Sequence, residues 1–254
     1  MSADPAPRGE WDGYVERFHA GRPGVSEALL ARSVDDGGRT AYDWISEDLT
    51  GGLVVDVGCG SGPTQPMASD WVGVDRSRAE LDVARRQGRG PLVQASASAL
   101  PVRDRAVDAA IAAMSLMVID DPCAALAELA RVLRPGGIAQ VLLPADRPLT
   151  VTDSARYGLL LAVLGRRSLP FPRPDVAAAP GPWLATAGFA VVADERRRFR
   201  FAVTGRDDAD LFIDSLYLPK VGARRVGVAR AVMRSSGHGE IGIPLRRVTA
   251  RLSR

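Results

Sequence analysis

The sequence predicts an α/β fold: a largely parallel sheet, helices on both faces and a helical cap ahead of it. Three observations carry this. The apolar run Val54-Val55-Asp56-Val57 ends in a glycine-rich turn, Gly58-Cys59-Gly60-Ser61-Gly62, and a second apolar run, Val72-Gly73-Val74-Asp75, follows closely. Through residues 53–143, short apolar runs alternate with stretches of helical spacing, the pattern of strands joined by right-handed crossover helices. The helical spacing at 122–133 stops at Arg134-Pro135-Gly136-Gly137, and another apolar run begins at once.

In chain order, residues 1–10 carry Pro5, Pro7 and Gly9 and little apolar content, and are expected to be disordered. Residues 11–20 and 25–34 have helical spacing and are split by Gly21-Arg22-Pro23-Gly24. A short helix is expected at 40–49 and strands at 53–57 and 71–75. The helix at 77–87 starts on Ser77, whose hydroxyl suits an N-cap. Strands follow at 91–95 and 107–113. The helix at 122–133 buries Leu126, Leu129, Ala130 and Leu133, and a strand at 138–143 stops before Pro144.

The second half is less regular. Residues 153–165 read as a leucine-rich helix. Residues 168–182 hold Pro170, Pro172, Pro174, Pro180 and Pro182 and read as a loop or lid. A helix at 181–188 leads to a strand at 189–203, where Phe199, Phe201 and Val203 alternate. Helices at 207–217 and 221–235 precede a last strand at 241–252.

With 254 residues, 46% hydrophobic and 25% charged, the chain has the composition of a soluble globular protein. No apolar run approaches the roughly 20 residues of a membrane helix, and the polar Met1-Ser2-Ala3-Asp4-Pro5 is unlike a signal sequence. Only Cys59 and Cys123 are present, without metal-ligand spacing, so a reduced cytoplasmic protein without structural zinc is expected. Residues 150–254 hold 18 Lys+Arg against 9 Asp+Glu, and the first 149 hold 15 against 21. The basic residues are dispersed and aromatics are few, which points to a solvated surface rather than a nucleic-acid site.

The strand, glycine turn and second strand ending in Asp75 are the layout of an adenosine-cofactor site. A nicotinamide fingerprint needs its third glycine at position 63, where Pro63 stands. The G-x-G-x-G spacing instead points to S-adenosylmethionine (SAM).

With these features the chain resembles the class I SAM-dependent methyltransferases, of the methyltransferase type 11-like, actinobacterial small-molecule kind. Ser98-Ala99-Leu100-Pro101 through Val107-Asp108 looks like the family's stretch before its fourth strand. Leu126 to Gly137 resembles its helix-and-turn signature before the fifth. The resemblance implies a Rossmann-like seven-stranded mixed sheet of order 3-2-1-4-5-7-6 with an antiparallel strand seven. Along 1–254 it implies one methyltransferase domain: a cap at 11–50, a SAM-binding core at 51–145, a lid at 146–182 and sheet completion at 183–254. The chain departs from the pattern where Pro63 and Pro66 restrict the first helix to one or two turns.

The roles implied are these. Gly58 and Gly60 let the backbone approach the methionine and ribose parts of the cofactor, and Cys59 touches it through its backbone only. Asp56 anchors the ammonium or caps a helix. Asp75 accepts both ribose hydroxyls. Arg76 covers the adenine or is a solvated arginine. Ser96 and Ala97 flank the adenine, with Ser96 where relatives carry an Asp. Met114 lines the sulfonium end or is core filler. Arg22 pairs with the cofactor's carboxylate or lies free on the surface. His19 is the candidate general base, or a structural histidine; His238 reads as a loop residue. No metal constellation is present in the sequence.

The expected function is methyl transfer from SAM to an oxygen or nitrogen of a small, hydrophobic metabolite, leaving S-adenosylhomocysteine. It would rest mainly on proximity and alignment. Leu159, Leu160, Leu161, Val163, Leu164, Phe171 and Trp183 suggest an apolar substrate enclosure, or pack a lid onto the core. Two alternatives stay open: an RNA or protein methyltransferase using the basic C-terminal half, and a SAM-binding protein that transfers no methyl group. A monomer or homodimer is expected.

Overall fold

A computed structural model describes residues 11, 13–49, 51–68, 70–235 and 239–253. The expectations for residues 1–10 and for His238 lie outside the described residues. Eight strands are described: β1 Ser33–Val34, β2 Leu53–Val57, β3 Asp70–Asp75, β4 Leu92–Gln94, β5 Val107–Ala113, β6 Leu133–Pro144, β7 Phe189–Val203 and β8 Gly239–Leu252. They form one sheet in the order β1-β7-β8-β6-β5-β2-β3-β4. Strands β4, β3, β2, β5 and β6 are parallel, and β8 runs antiparallel to both β6 and β7. This is the expected seven-strand order with one strand added at its edge.

The helices are α1 Tyr14–Gly21, α2 Val25–Leu30, α3 Ala41–Ser46, α4 Arg78–Arg86, α5 Pro122–Val132, α6 Val151–Leu164, α7 Pro174–Ala178, α8 Pro180–Thr186, α9 Arg206–Asp214 and α10 Ala223–Ser235. Alternation along the strands sorts them onto two faces. Val55 and Val57 of β2 and Ala110 and Ala112 of β5 face a core with Leu126 and Leu129 of α5, Val176 of α7 and Leu184 of α8. Val54 and Ile111 face the opposite core with Trp44 and Ile45 of α3 and Leu81 of α4. Period 2 therefore turns Asp56 toward the α3 side.

The structure departs from the sequence reading in four places. The helix expected at 25–34 ends at Leu30. There the Ser33 hydroxyl donates to Leu29 O at 2.7 Å, and Asp35 accepts from Gly37 N and Arg39 N, so the chain leaves the helix and β1 pairs with Phe201 and Arg200. The proline-rich segment contains the unexpected α7, and α8, expected at 181–188, starts within it, because Pro174 and Pro180 occupy first-turn positions, where proline costs no hydrogen bond. Strand β6 starts at Leu133, and the Arg-Pro-Gly-Gly turn is taken up as an irregularity against β5. At Gly137 a Cβ would sit 2.9 Å from Arg134 O and 3.0 Å from Asp108 O, so only glycine fits. Finally, α6 does not cover the glycine turn. Leu160 and Leu164 are buried with Phe201, Phe212 and Ile241 beside the antiparallel strands, while Leu159 is exposed. After the glycine turn only a 3-10 turn forms, Gln65–Met67, as the two prolines dictate.

Candidate cofactor site at the carboxyl edge of the sheet

The carboxyl ends of β2, β3 and β5 meet where the strand order reverses, the crevice in which open α/β sheets bind ligands. The turn after β2 is tied to β3: Gly58 N and Cys59 N donate to Val74 O at 2.8 and 3.1 Å. Gly60 has φ +55°, the left-handed region that favours glycine, and a Cβ there would be in ordinary contact with Glu80 Oε2 at 3.8 Å without a clash. Gly58 has a different reason. A Cβ on it would come 2.5 Å from Ser115 Cβ, and the Ser115 hydroxyl donates to Val57 O at 2.7 Å. Gly58 thus lets the ends of β2 and β5 close up. The Cys59 thiol is buried beneath the turn, and burial pushes its pKa up, so it presents no thiolate.

Asp75 ends β3. Its Oδ2 accepts from Gly60 N at 2.8 Å and its Oδ1 from Ser77 N at 2.7 Å. Each oxygen keeps a lone pair for a further donor. Burial raises its pKa, partly opposed by those two N–H groups. Asp56 is 1% exposed. Its Oδ2 accepts from the Thr64 hydroxyl, at 2.5 Å, and Thr64 accepts from Trp71 Nε1 at 3.0 Å, but its Oδ1 has no partner. Burial pushes the Asp56 carboxyl up to about 7, the Thr64 bond opposes that, and the nearby Asp75 charge adds to it.

Above Asp75 lies a cluster that sequence reasoning did not assemble. His19 Nδ1 meets Glu80 Oε1 at 2.8 Å, and His19 Nε2 meets the Tyr217 hydroxyl at 2.9 Å. Glu80 Oε2 accepts from Gly24 N at 2.8 Å. Ser77 caps α4 through Glu80 N, as expected. A glutamate three residues after a serine cap ordinarily returns to the cap's own N–H. Here Asp75 takes that N–H, and Glu80 is released to hold the segment between α1 and α2. Glu80 was legible only as a capping residue, and Tyr217, remote in sequence, carried no signal.

Met114, at φ +57°, packs against both cores. Residues after β4 run beside Asp75: Ala95 N donates to Asp75 O at 3.1 Å and Gln94 Nε2 to Arg76 O at 3.1 Å. Ser96 is exposed, its hydroxyl 2.8 Å from that of Ser98, and Ala97 packs on the main core. Arg76 pairs with Asp120 at 2.8 Å, both exposed. Arg22 is the predicted residue that the structure places elsewhere. Its guanidinium lies over the Phe18 ring and bonds Asp214 O at 3.2 Å, because Asp214 at the end of α9 offers both a carbonyl and a carboxylate. No group of three or more His, Cys, Asp or Glu among the described residues is placed to hold a metal.

The donor set fits SAM. Asp56 Oδ1 is a buried acceptor lacking a donor, as an ammonium anchor requires. Asp75 offers two carboxylate oxygens at a strand end, as a ribose diol requires.

Comparison with known proteins agrees. Residues 55–141 match the methyltransferase domain family. The chain is 39% identical over 100 residues to the mouse (Mus musculus) tRNA (carboxymethyluridine(34)-5-O)-methyltransferase ALKBH8, a match over 36% of this chain and 14% of that protein. It is 34% identical over 115 residues to the O-methyltransferase rstn1 of Aspergillus nomiae, over 39% of this chain and 51% of that one. The chain thus spans at most about half the length of these curated relatives. Among solved structures, a SAM-dependent methyltransferase from Thermotoga maritima superposes with a TM-score of 0.52 at 17% identity, covering 96% of this chain and 100% of that one. At that identity the likeness is one of fold.

Proposed function

We propose that the chain, which matches the methyltransferase domain family over residues 55–141, is a class I SAM-dependent methyltransferase that moves the methyl group of SAM to an oxygen or nitrogen of a small, hydrophobic metabolite. The observation that carries this reading is the convergence of the glycine turn, the diol-ready Asp75 and the unpartnered Asp56 Oδ1 at one sheet edge. SAM supplies an already activated methyl group, so the protein's tasks are alignment and exclusion of water. Asp75 orients the ribose, Asp56 holds the ammonium, and the 94–97 backbone flanks the adenine. The acceptor lies between the cap at 11–45, the loop at 114–120 and the segment around Phe171 and Trp183. That segment is pinned to the loop by Arg173, whose N–H donates to Met117 O at 3.0 Å and whose guanidinium donates to Asp120 O and lies 5.1 Å from the Trp183 ring.

A small acceptor is favoured over RNA because the arginines of the antiparallel strands are engaged. Arg197, Arg198, Arg246 and Arg247 each pair with at least one carboxylate, leaving no open cationic stripe on those strands. The name of the mouse relative keeps tRNA as the second reading, and the fungal relative's name supports oxygen as the acceptor. His19 serves as base only by releasing Tyr217 or Glu80, since both ring nitrogens are engaged. The test is calorimetry with S-adenosylhomocysteine and NADH, followed by transfer of labelled methyl to a panel of phenols, amines and tRNA. Binding of S-adenosylhomocysteine with a labelled phenol or amine supports the proposal, and labelled tRNA alone supports the second reading. Bound SAM with no labelled product across the panel identifies a SAM-binding protein without transfer, and NADH binding in place of S-adenosylhomocysteine removes the reading altogether.

A further inference from the structure

The prolines that shorten the helix after the glycine turn create a structural debt at Ser61. In a regular helix its carbonyl would accept from Gln65 N four residues on. Instead Gln65 N donates to Gly62 O at 3.2 Å, in 3-10 fashion. Ser61 is 2% exposed, and its carbonyl would be left buried and unpaired. Arg89, from the end of α4, fills the gap. Its Nη1 donates to Ser61 O at 2.8 Å, and its Nη2 pairs with Glu27 Oε1 of α2 at 2.7 Å. The Ser61 hydroxyl closes the ring by donating to Glu27 Oε2. The Glu27 and Arg89 side chains are 12% and 16% exposed, so this pair is little screened by solvent.

We propose that Glu27 and Arg89 are positioning residues for the cofactor, which replace the missing helix and hold the Gly58–Gly62 turn in its binding shape through Ser61. The inference rests on the reading that this turn binds SAM. It makes α2, and with it the N-terminal cap, part of the cofactor site rather than a cover for the substrate alone. On that reading the turn serves the methionine and ribose parts of the cofactor, whereas residues 94–97 serve the adenine. Loss of the ring therefore weakens ligands with the amino-acid moiety more than those without it.

The test is calorimetry with S-adenosylhomocysteine and with 5′-methylthioadenosine, which lacks the amino-acid part. The variants are Ser61→Ala, which leaves the ion pair intact, and the double variant Glu27→Gln/Arg89→Met, which avoids stranding one buried charge. The exposed Arg85→Met serves as control. Expected for the double variant is a rise of about tenfold or more in the Kd for S-adenosylhomocysteine, with under about threefold for methylthioadenosine, and for Ser61→Ala an intermediate rise of about fivefold. If the double variant does not fold, Ser61→Ala alone decides. Folded variants with unchanged Kd for S-adenosylhomocysteine, or with equal losses for both ligands, overturn the proposal. Failure of the unmodified protein to bind S-adenosylhomocysteine overturns the SAM reading and this inference with it, whereas tight binding by the unmodified protein and its variants alike overturns this inference alone.

Discussion

The parallel and antiparallel halves of the sheet treat their carboxylates in opposite ways. At the carboxyl edge of β2 and β3, Asp56 is buried and Asp75 half-buried, with hydroxyl and N–H partners and no arginine, and desolvation raises both. Beside β7 and β8 every comparable carboxylate is matched to a cation. Burial works against ionised Asp153, but Arg198, Thr150 and Gly242 N hold its pKa well below the usual range. Arg246 does the same for Asp194, and Thr204 with Arg32 brings Asp208 down to about 2. The paired carboxylates hold the fold together. The two without an arginine cost stability at neutral pH, as the ammonium and diol acceptors of the proposed site would.

The largest effect that could break this contrast is at Asp153, which caps α6 and bonds both Arg198 and Gly242 N. Asp153→Ala leaves the partly buried Arg198 guanidinium with Glu240 alone and removes the α6 capping box, and should destabilise by about 3 kcal/mol in denaturant unfolding. A loss below about 1 kcal/mol would show that the arginine pairs are ornamental.

Asp56→Asn should act in the opposite direction. A carboxyl whose folded pKa is raised stabilises fully below its unfolded value, and that contribution is lost as pH rises from about 4 toward 7. The variant should therefore match the unmodified protein near pH 4 and exceed it by about 2–4 kcal/mol at pH 8. Equal stabilities at pH 8 would mean that Asp56 is not held up by burial. Asp208 and Asp194 have the reverse sign: their contribution is present above about pH 4 and fades as pH falls below it.

Asp75→Ala should weaken S-adenosylhomocysteine by about 1–3 kcal/mol with little change in thermal midpoint. Unchanged affinity removes Asp75 from the site. Ionisation of Asp56 favours a bound ammonium, so S-adenosylhomocysteine affinity should fall by up to about tenfold per unit as pH drops below 7. A flat calorimetric profile from pH 6 to 8 would place the ammonium elsewhere.

The smallest effects belong to His19 and Tyr217. His19→Ala and Tyr217→Phe should each cost about 1 kcal/mol of stability, the worth of ordinary hydrogen bonds. Unaltered pH–rate profiles in both would make the cluster a clasp on the cap. A lost acidic limb in His19→Ala alone would identify the base.

The strands, the glycine turn and the stunted helix were legible in the sequence, while the sheet order came only with the family resemblance. Strand alternation, breaker residues and turn spacing are local signals, and the prolines at 63 and 66 act on their own backbone. Gly58 was read as clearance for a ligand, but its neighbour is Ser115, 57 positions along the chain. Arg22 looked free to meet a carboxylate until α9 brought Asp214 against it. The α6 leucines suited either a substrate enclosure or packing onto the core, and Leu160 and Leu164 do the second, beside β7 and β8.

The sequence by itself determined the class of fold and where a cofactor turn would lie, because periodicity and φ/ψ restriction are properties of a short stretch of chain. Only the tertiary structure decided which side chains answer that turn. Glu27, Ser61 and Arg89 meet across α2, the turn and the end of α4, and His19, Glu80 and Tyr217 span almost 200 positions. Hydrogen bonds and burial depend on distances that folding sets, so residues ordinary in sequence become the frame of the site.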